Sequence, residues 1–419
     1  MACVSVLNVM DRQLLAVLIE PIKRELGVSD AAMGLLTGTS FALLHVGASI
    51  PIAVWADRGV RRSIIAIGLS LWSGLTVLTG YARSFGEIFA IRVGVGIGEA
   101  SGGGPAQSLL ADSFPAARRS TAMSVLVMGG PIGSMIAFAL GGWLGETFGW
   151  RAAFVIFGAP GLLLALLIRF GVREPTRGAT EASVETDSPR AEPLAPVPFR
   201  EASRFIFGVP SIRRFVIAAA LNTVGIYTIL VWSVPYLSRV HALDASAAGT
   251  RLAIASGLFT ALGTLAGGPL ADRLSARDAR WHAWLPAISS ALVFPFGVAF
   301  ALAPDADWAS ALLAPASFLA GVQFGPIYGA VHTIAAPQMR ALSGAFITSL
   351  NTLLGLGLAP PLVGLMNDLG AQRVGPESIR YSLAFMMIFH LFAAGLLLRA
   401  SSTLRRDLRA RERYLGDSS

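Results

Sequence analysis

Twelve apolar stretches run through this chain, and each is about as long as the 20 residues that an α-helix needs to cross a bilayer. They lie near residues 1–19, 31–55, 63–82, 86–110, 120–145, 151–170, 211–237, 248–270, 282–303, 308–333, 341–366 and 379–399. Helices satisfy their own backbone hydrogen bonds in lipid. The sequence therefore predicts an all-α membrane protein with twelve transmembrane helices.

The composition excludes several soluble classes. Charged residues make up 14% of the 419 residues, whereas soluble proteins carry roughly a quarter, so we expect no soluble enzyme. The net charge of +8 sits in short clusters between apolar stretches, so we expect no nucleic-acid partner. The single cysteine, Cys3, excludes an intramolecular disulfide, and the single lysine, Lys23, follows Ile22 rather than the glycine of an ATP-binding loop. The five histidines lack metal-ligand spacing, so no metal or cofactor is expected.

A proline-rich segment divides the twelve stretches into two sets of six. Between residues 175 and 198 this segment carries five prolines together with mixed charges, a composition that cannot bury a core. The predicted organisation has four parts: a six-helix bundle (1–172), a linker (173–210), a second six-helix bundle (211–400) and a tail (401–419).

Charge bias predicts the orientation in the membrane. Most of the 33 lysines and arginines fall on the side of the linker, and an excess of positive charge marks the cytoplasmic side. Both termini are therefore expected in the cytoplasm. Arginine is used almost to the exclusion of lysine, which favours a bacterial inner membrane. The first stretch starts at residue 1 and contains Asp11 and Arg12, so we expect a preceding segment rather than a signal peptide.

Two loops in equivalent positions of the halves resemble each other. WADRGVRRS (55–63) follows the second stretch and LADRLSARD (270–278) follows the eighth. Paired loops in two six-span halves are typical of duplicated transporters. With the twelve stretches and the long linker, they make the chain resemble the major facilitator superfamily. That resemblance implies two six-helix bundles that open in turn to the two sides of the membrane.

The loop motif supplies a candidate cytoplasmic gate. The superfamily pattern Gly-x-x-x-Asp-Arg-x-x-Arg-Arg is matched here, except that Ala53 replaces the glycine. Ion pairs and helix-end charges can hold such ends together in one transport state. The candidate gate residues are Asp57, Arg58, Arg61, Arg62, Asp272 and Arg273. The alternative is that these arginines only set the topology.

The first half is further similar to the spinster family of lysolipid and sphingolipid transporters. The resemblance rests on MDRQLLAVL (10–18), MGLLTGTSFALL (33–44), RVGVGIGEAS (92–101), ADSFPAARRS (111–120) and GWRAAF (149–154). Family members often have an aromatic residue after Glu-Ala-Ser, where this chain has Gly102. The glycines Gly94, Gly98 and Gly102 share one helix stripe and predict close helix packing.

Four charged residues lie deep inside apolar stretches: Asp11, Arg12, Arg92 and Glu99. Each costs roughly 2.5–3.5 kcal/mol at the centre of a membrane, so each needs a partner or a wet cavity. Arg92 and Glu99 project from one helix face, roughly 10 Å apart along the axis. We expect Asp11 between or beside them if the first and fourth stretches are neighbours, whereas Arg12 points about 100° away from Asp11.

The spinster resemblance implies that Asp11, Arg92 and Glu99 take part in proton coupling and solute binding. Independently, a carboxylate whose distance to an arginine changes between two states also changes its proton affinity. A static ion network that joins two helices is the alternative. For Arg12, binding of a solute headgroup and bracing of a neighbouring helix remain equally open.

The second half contributes no charge deep inside a stretch. It offers neutral polar residues, of which Asn222 and Tyr227 are expected to contact the solute together with Arg92, Arg12 and Glu99. A site with charges on one side and apolar surface on the other suits an amphipathic solute.

The sequence therefore predicts a monomeric, proton-coupled transporter of a lysophospholipid or sphingoid phosphate, driven by the proton gradient without a cofactor. The first alternative keeps the fold but transports an organic anion with protons or expels drugs in exchange for protons. GPIG (130–133), which is similar to a fifth-span motif of antiporters, favours the exchanger. The second alternative is a membrane scaffold or sensor that transports nothing.

Overall fold

The computed structural model describes residues 1–114, 116–175, 199–334 and 340–416, and all regular secondary structure in these ranges is helical. The first half contains α1 (Ala2–Val17), α2 (Ile19–Leu26), α3 (Asp30–Gly34), α4 (Ser40–Arg58), α5 (Arg61–Thr79), α6 (Phe85–Glu99), α7 (Gly104–Ser113) and α8 (Ala116–Gly171). The second half contains α9 (Phe199–Gly208), α10 (Pro210–His241), α11 (Ala245–Leu252), α12 (Phe259–Ser275), α13 (Trp281–Ala301), α14 (Ala306–Val322), α15 (Phe324–Ile334), α16 (Arg340–Asn351), α17 (Ala359–Val374), α18 (Ser378–Met386) and α19 (Ile388–Gly416). Three π-helical turns connect α3 to α4, α11 to α12 and α16 to α17: Leu35–Thr39, Ala253–Leu258 and Thr352–Leu358.

The helices account for twelve membrane crossings. Eight described stretches are long and apolar enough to span a bilayer, and the bent pair α1–α2 makes a ninth. Val125–Gly171 and Ser343–Leu408, with 47 and 66 residues, are each long enough for two crossings. They break at Gly149 and Gly375, whose φ angles of 81° and 60° suit a residue without a Cβ. The twelfth crossing to be counted is the fourth along the chain: it is formed by α6, which continues through the 3₁₀ turn Ala100–Gly102 into α7.

The described helices pack into two compact units. Unit 1 contains α1–α8 together with Leu230–Gly257 and Pro360–Ser378, and unit 2 contains the rest of the second half. The grouping differs from the bundle boundaries read from the sequence because four glycines let backbones approach closely inside unit 1. A Cβ at any of them would lie 2.0–2.4 Å from a backbone oxygen of the facing segment: Gly34, Gly142, Gly249 and Gly364.

Glycines also bring α1 against α8 and α5 against α6. A Cβ at Gly133 would lie 2.4 Å from the Val6 carbonyl oxygen. On α6, a Cβ at Gly98 would lie 3.0 Å from Trp72, and one at Gly94 would lie 2.6 Å from Leu75. The predicted role of the α6 glycine stripe in helix packing is confirmed.

Replacing Gly133 with alanine is expected to destabilise unit 1 by about 1–3 kcal/mol, because the added methyl group forces α1 away from α8. The measurement is the unfolding temperature of the purified protein in detergent. Gly130→Ala is the matched control, since its Cβ would meet only Val9 Cγ2, at 3.9 Å. Equal unfolding temperatures for the two variants would contradict this account of the α1–α8 contact.

Candidate functional site

A buried ion pair joins α1 to α6 in unit 1. Arg92 Nη1 donates to Asp11 Oδ2 at 3.1 Å, and the hydroxyl of Thr76 on α5 donates to Asp11 Oδ1 at 2.7 Å. Asp11 is 4% exposed and Arg92 is 1% exposed. Three helices thus meet at one carboxylate, whose two oxygens both accept hydrogen bonds.

A second ion pair lies next to the first along both helices. Arg12 Nε donates to Glu99 Oε2 at 2.6 Å, and Arg12 Nη2 donates to Asn8 Oδ1 at 2.5 Å. The side chain of Arg12 is 19% exposed, whereas that of Glu99 is fully buried. Arg12 therefore pairs with a residue of a neighbouring helix and is the more exposed member of the pair, while its role in solute binding stays a prediction.

An aromatic ring lies under both guanidinium groups. The ring centroid of Phe41 lies 4.6 Å from the Arg12 guanidinium carbon and 5.8 Å from that of Arg92. His45 stacks on the same ring at 4.9 Å, and its Nδ1 lies 3.2 Å from the Gly96 carbonyl oxygen. A cation over a desolvated aromatic face is stabilised. Nothing in the sequence distinguishes Phe41, because a single phenylalanine in an apolar stretch carries no signal of its own.

The buried ion network, by which we mean Asp11, Arg12, Arg92 and Glu99, retains unused hydrogen-bonding capacity. Glu99 Oε1 and Arg92 Nε have no hydrogen-bond partner among the described residues. A buried polar atom without a partner costs about 1–3 kcal/mol, and more when it is charged. One carboxylate oxygen and one guanidinium N–H of the network are therefore left unpaired among the described residues.

The candidate gate residues Arg61 and Arg62 are held inside unit 1. Arg61 is 1% exposed, and its guanidinium donates to Asp112 Oδ2 at 2.5 Å and to Glu174 Oε1 at 2.9 Å. The backbone N–H of Arg62 donates to Glu174 Oε2 at 2.9 Å. These contacts join the start of α5 to the end of α7 and to the segment after α8.

Within the described part of the chain, Arg58, Asp272 and Arg273 form no comparable ion pair. Arg58 is exposed at the end of α4, and Asp272 and Arg273 are exposed near the end of α12. The side chain of Asp57 lies outside the described residues. The proposed gate role of the six residues stays a prediction.

Replacing Glu174 with glutamine is expected to lower the unfolding temperature at neutral pH and to lower it less in acid. Burial alone raises the pKa of Glu174, but hydrogen bonds from the Arg62 backbone and the Arg61 guanidinium outweigh it and hold this pKa below its ordinary value. A carboxylate with a lowered pKa stabilises the fold above the pKa of the unfolded chain, and this contribution disappears as the pH falls through the folded-state pKa. The check is thermal unfolding of both proteins from neutral pH to about pH 3.5. A difference that stays constant with pH would refute the role given to this carboxylate.

A further ion cluster in unit 1, which the sequence does not predict, surrounds Asp30. Asp30, whose side chain is 2% exposed, accepts hydrogen bonds from Lys23 and from Arg239, with Arg239 Nη2 at 2.8 Å from Oδ1. Arg239 also pairs with Glu20 at 2.6 Å. These residues lie at the ends of apolar stretches, where charged residues are common. The sequence therefore gives no sign that they form ion pairs with one another.

The segment Pro360–Ser378 completes this cluster. Asp368 accepts from the backbone N–H groups of Asp30 and Ala31 at 3.0 and 2.9 Å, and Asn367 Nδ2 donates to Asp30 Oδ2 at 3.1 Å. Side chains from both halves of the sequence therefore converge on one buried carboxylate. We call this set the Asp30 cluster: Glu20, Lys23, Asp30, Arg239, Asn367 and Asp368.

The other two predicted solute-binding residues, Asn222 and Tyr227, lie on α10 in unit 2. Asn222 is 2% exposed, and its Oδ1 accepts a hydrogen bond from His390 Nδ1 at 2.9 Å. Tyr227 is half-buried and packs beside Gly355. Their contact with a solute stays a prediction.

The chain matches known proteins along nearly its whole length. The model of the Major Facilitator Superfamily matches residues 1–360. An MFS-type efflux pump of Mycolicibacterium smegmatis is 31% identical over 97% of this chain and 92% of its own. A probable galactarate/D-glucarate transporter of Bacillus subtilis is 25% identical over 92% of this chain and 89% of its own.

A solved structure shows the same likeness. The inward-facing, unoccupied crystal structure of a bacterial homologue of the human lysosomal transporter Spinster has 31% sequence identity and a TM-score of 0.86, covering 97% of this chain and 96% of that one. The predicted fold and the resemblance to the spinster family are confirmed, and the chain is an integral membrane protein and not an enzyme. It belongs to the major facilitator superfamily, as a membrane transporter of the Spinster type.

Proposed function

We propose that this transporter couples proton movement to the transport of an amphipathic anion of the lysophospholipid or sphingoid phosphate class. The observation that supports the proposal is that the carboxylate of Glu99 is buried and only partly paired. Its side chain is fully buried, one oxygen is paired with Arg12, and the other oxygen has no partner among the described residues. Such a carboxylate is either held by a guanidinium or neutralised by a proton.

The coupling step follows from competition for Arg12. The guanidinium of Arg12 binds either the Glu99 carboxylate or the phosphate of an incoming solute. When the phosphate takes Arg12, the buried carboxylate loses its partner and binds a proton more readily. Solute and proton then favour each other's binding, which is the thermodynamic requirement for coupling.

Asp11 and Arg92 form the second half of this machinery. Their contact lies one residue away from Arg12 on α1 and is supported by the Thr76 hydroxyl. In the proposal, Asp11 is the second proton-binding group and Arg92 contributes to the binding of the headgroup. The Phe41 ring beneath both guanidinium groups offers apolar surface next to the phosphate.

The choice of a lipid-like solute is supported by the Spinster resemblance, and the site itself favours an anion. An organic anion is the second candidate, since a probable galactarate/D-glucarate transporter is among the relatives. Expulsion of drugs is the third, since another relative is an efflux pump. Thermal-shift measurements with lysophosphatidate, sphingosine phosphate, galactarate and a cationic drug separate the three. We expect stabilisation by the lysolipid or sphingoid phosphate, and stabilisation by the drug alone would overturn the proposal.

The same proposal places one chain as the functional unit in a bacterial inner membrane, with both termini in the cytoplasm. The excess of arginine on the side of the linker supports the cytoplasmic placement of the termini. Cys3 is the single cysteine and is exposed near the start of α1. A membrane-impermeant maleimide is therefore expected to label Cys3 in inside-out vesicles but not in right-side-out vesicles. The reverse pattern would contradict the orientation.

A further inference from the structure

A small cavity in unit 2 is lined by three carboxamide side chains. Asn222 comes from α10, Gln323 from the junction of α14 and α15, and Asn351 from the end of α16. The hydroxyl of Tyr328 and otherwise mainly apolar side chains complete the wall. No charged side chain lines this cavity among the described residues. Its chemistry is therefore neutral and hydrogen-bonding, unlike that of the buried ion network in unit 1.

One end of each carboxamide is held by a neighbouring side chain. Asn222 Oδ1 lies 2.9 Å from His390 Nδ1. Gln323 Oε1 lies 2.8 Å from the hydroxyl oxygen of Ser290, and Asn351 Nδ2 lies 3.3 Å from the hydroxyl of Tyr328. These contacts fix the position of each amide group.

The opposite end of each carboxamide has no hydrogen-bond partner within the described part of the chain. The atoms are Asn222 Nδ2, Gln323 Nε2 and Asn351 Oδ1, and both Asn222 and Gln323 are 2% exposed. Buried polar atoms in native proteins are almost always paired. Three unpaired amide ends around one cavity therefore indicate a site prepared for a partner.

The type of partner follows from the atoms. Two donors and one acceptor remain, and an amide can turn over by 180° without changing its shape. A hydroxyl group both donates and accepts, so it satisfies either arrangement. A carboxylate or an ammonium group would enter without a compensating charge, which is costly in a buried place. The cavity leaves about 10 Å³ for the centre of a water-sized group, which fits one hydroxyl.

We propose that this cavity is a subsite that binds a hydroxyl group of the transported solute through Asn222, Gln323 and Asn351. The inference rests on the proposed function as a transporter and concerns one functional group of the transported solute, a hydroxyl. The hydroxyl comes either from a lysolipid, whose glycerol carries one, or from a small polyhydroxy acid.

The test compares pairs of probes that differ only in hydroxyl groups. One pair is 1-oleoyl-lysophosphatidate and its analogue without the 2-hydroxyl, and the other is galactarate and adipate. Binding is measured by calorimetry on the full chain in lauryldimethylamine oxide, a detergent without hydroxyl groups. Wild type is expected to bind the hydroxylated member of one pair at least about tenfold more tightly, as is typical when a buried polar site loses its partner.

The double variant Gln323→Met with Asn351→Leu keeps similar side-chain volume and removes two of the three amide groups. We expect it to bind both members of the pair within about twofold, with unchanged affinity for the member without hydroxyl, which also shows that it is folded. Thr333→Val, which removes an exposed hydroxyl on α15, is the control and is expected to discriminate as wild type does.

The outcomes separate this inference from the proposed function. Discrimination within the galactarate pair, with no binding of either lipid, supports the subsite and overturns the lipid-like solute. Tight but equal binding of both lipids by wild type supports the lipid and overturns the subsite, as does discrimination that survives in the double variant. Binding of neither pair overturns both. An ordered water that bridges the three amides in a solute-bound structure also overturns the subsite.

Discussion

Replacing Glu99 with glutamine is expected to abolish most of the stimulation of transport by a proton gradient. Glutamine keeps the size of the side chain and can still contact Arg12, but it cannot take up a proton. Coupling between two ligands is typically worth about 1–3 kcal/mol, so the ratio of driven to undriven flux should fall about 5- to 150-fold towards unity. The measurement is uptake of labelled lysophosphatidate into proteoliposomes with and without an imposed pH gradient.

A matched control lies on the same helix. Glu87→Gln makes the same substitution at an exposed position in the first turn of α6, and it should keep the wild-type response to the gradient. Asp11→Asn should also weaken that response, because Asp11 is the partner of Arg92. Wild-type gradient dependence in both Glu99→Gln and Asp11→Asn would show that these carboxylates do not couple transport to protons.

Removing Arg239 is expected to open the Asp30 cluster. Arg239→Ala leaves Asp30 buried with fewer partners, and breaking a buried ion pair from one side costs about 3–5 kcal/mol. Since each 1.4 kcal/mol is a factor of ten, local opening in unit 1 should become about 100- to 4000-fold more frequent. Segments from both halves of the sequence converge on this cluster, so its opening would release Pro360–Ser378 from α3.

The opening can be followed by cysteine labelling. Val363, in the segment that completes the cluster, is fully buried, so Val363→Cys in a Cys3→Ser background should react slowly with maleimide. Adding Arg239→Ala should accelerate the reaction, whereas adding Arg24→Ala, which removes an exposed arginine of α2, should not. Equal rates in the two backgrounds would mean that the cluster does not hold this part of unit 1 closed.

The number of membrane crossings and the buried charged residues could be predicted from composition. The pairing of those charges could not, because it depends on how each helix is rotated about its axis. The twelve crossings follow from apolar length, and Asp11, Arg12, Arg92 and Glu99 stood out because charge is rare inside a membrane. The actual pairing of Arg12 with Glu99 depends on how α1 is rotated against α6, which residue spacing within a single helix cannot give. The partners of the network, Phe41 and Thr76, are types that any membrane helix contains.

The ends of the helices were harder to predict for a different reason. Asp30 and Arg239 are separated by 209 positions and sit where charged residues are common, so they become informative only when Pro360–Ser378 is packed beside them. For Arg61 the loop motif pointed to an ion-pairing role. One of its partners, Glu174, lies in the predicted linker, where no structure was expected.

The central claim is that a solute anion displaces Glu99 from Arg12 and that Glu99 then takes up a proton. The most direct measurement is the proton balance when lysophosphatidate binds to purified protein in a weakly buffered solution. The account predicts uptake of about one proton per bound solute by wild type and none by Glu99→Gln. Binding without proton uptake in wild type, or equal uptake in both proteins, would contradict it.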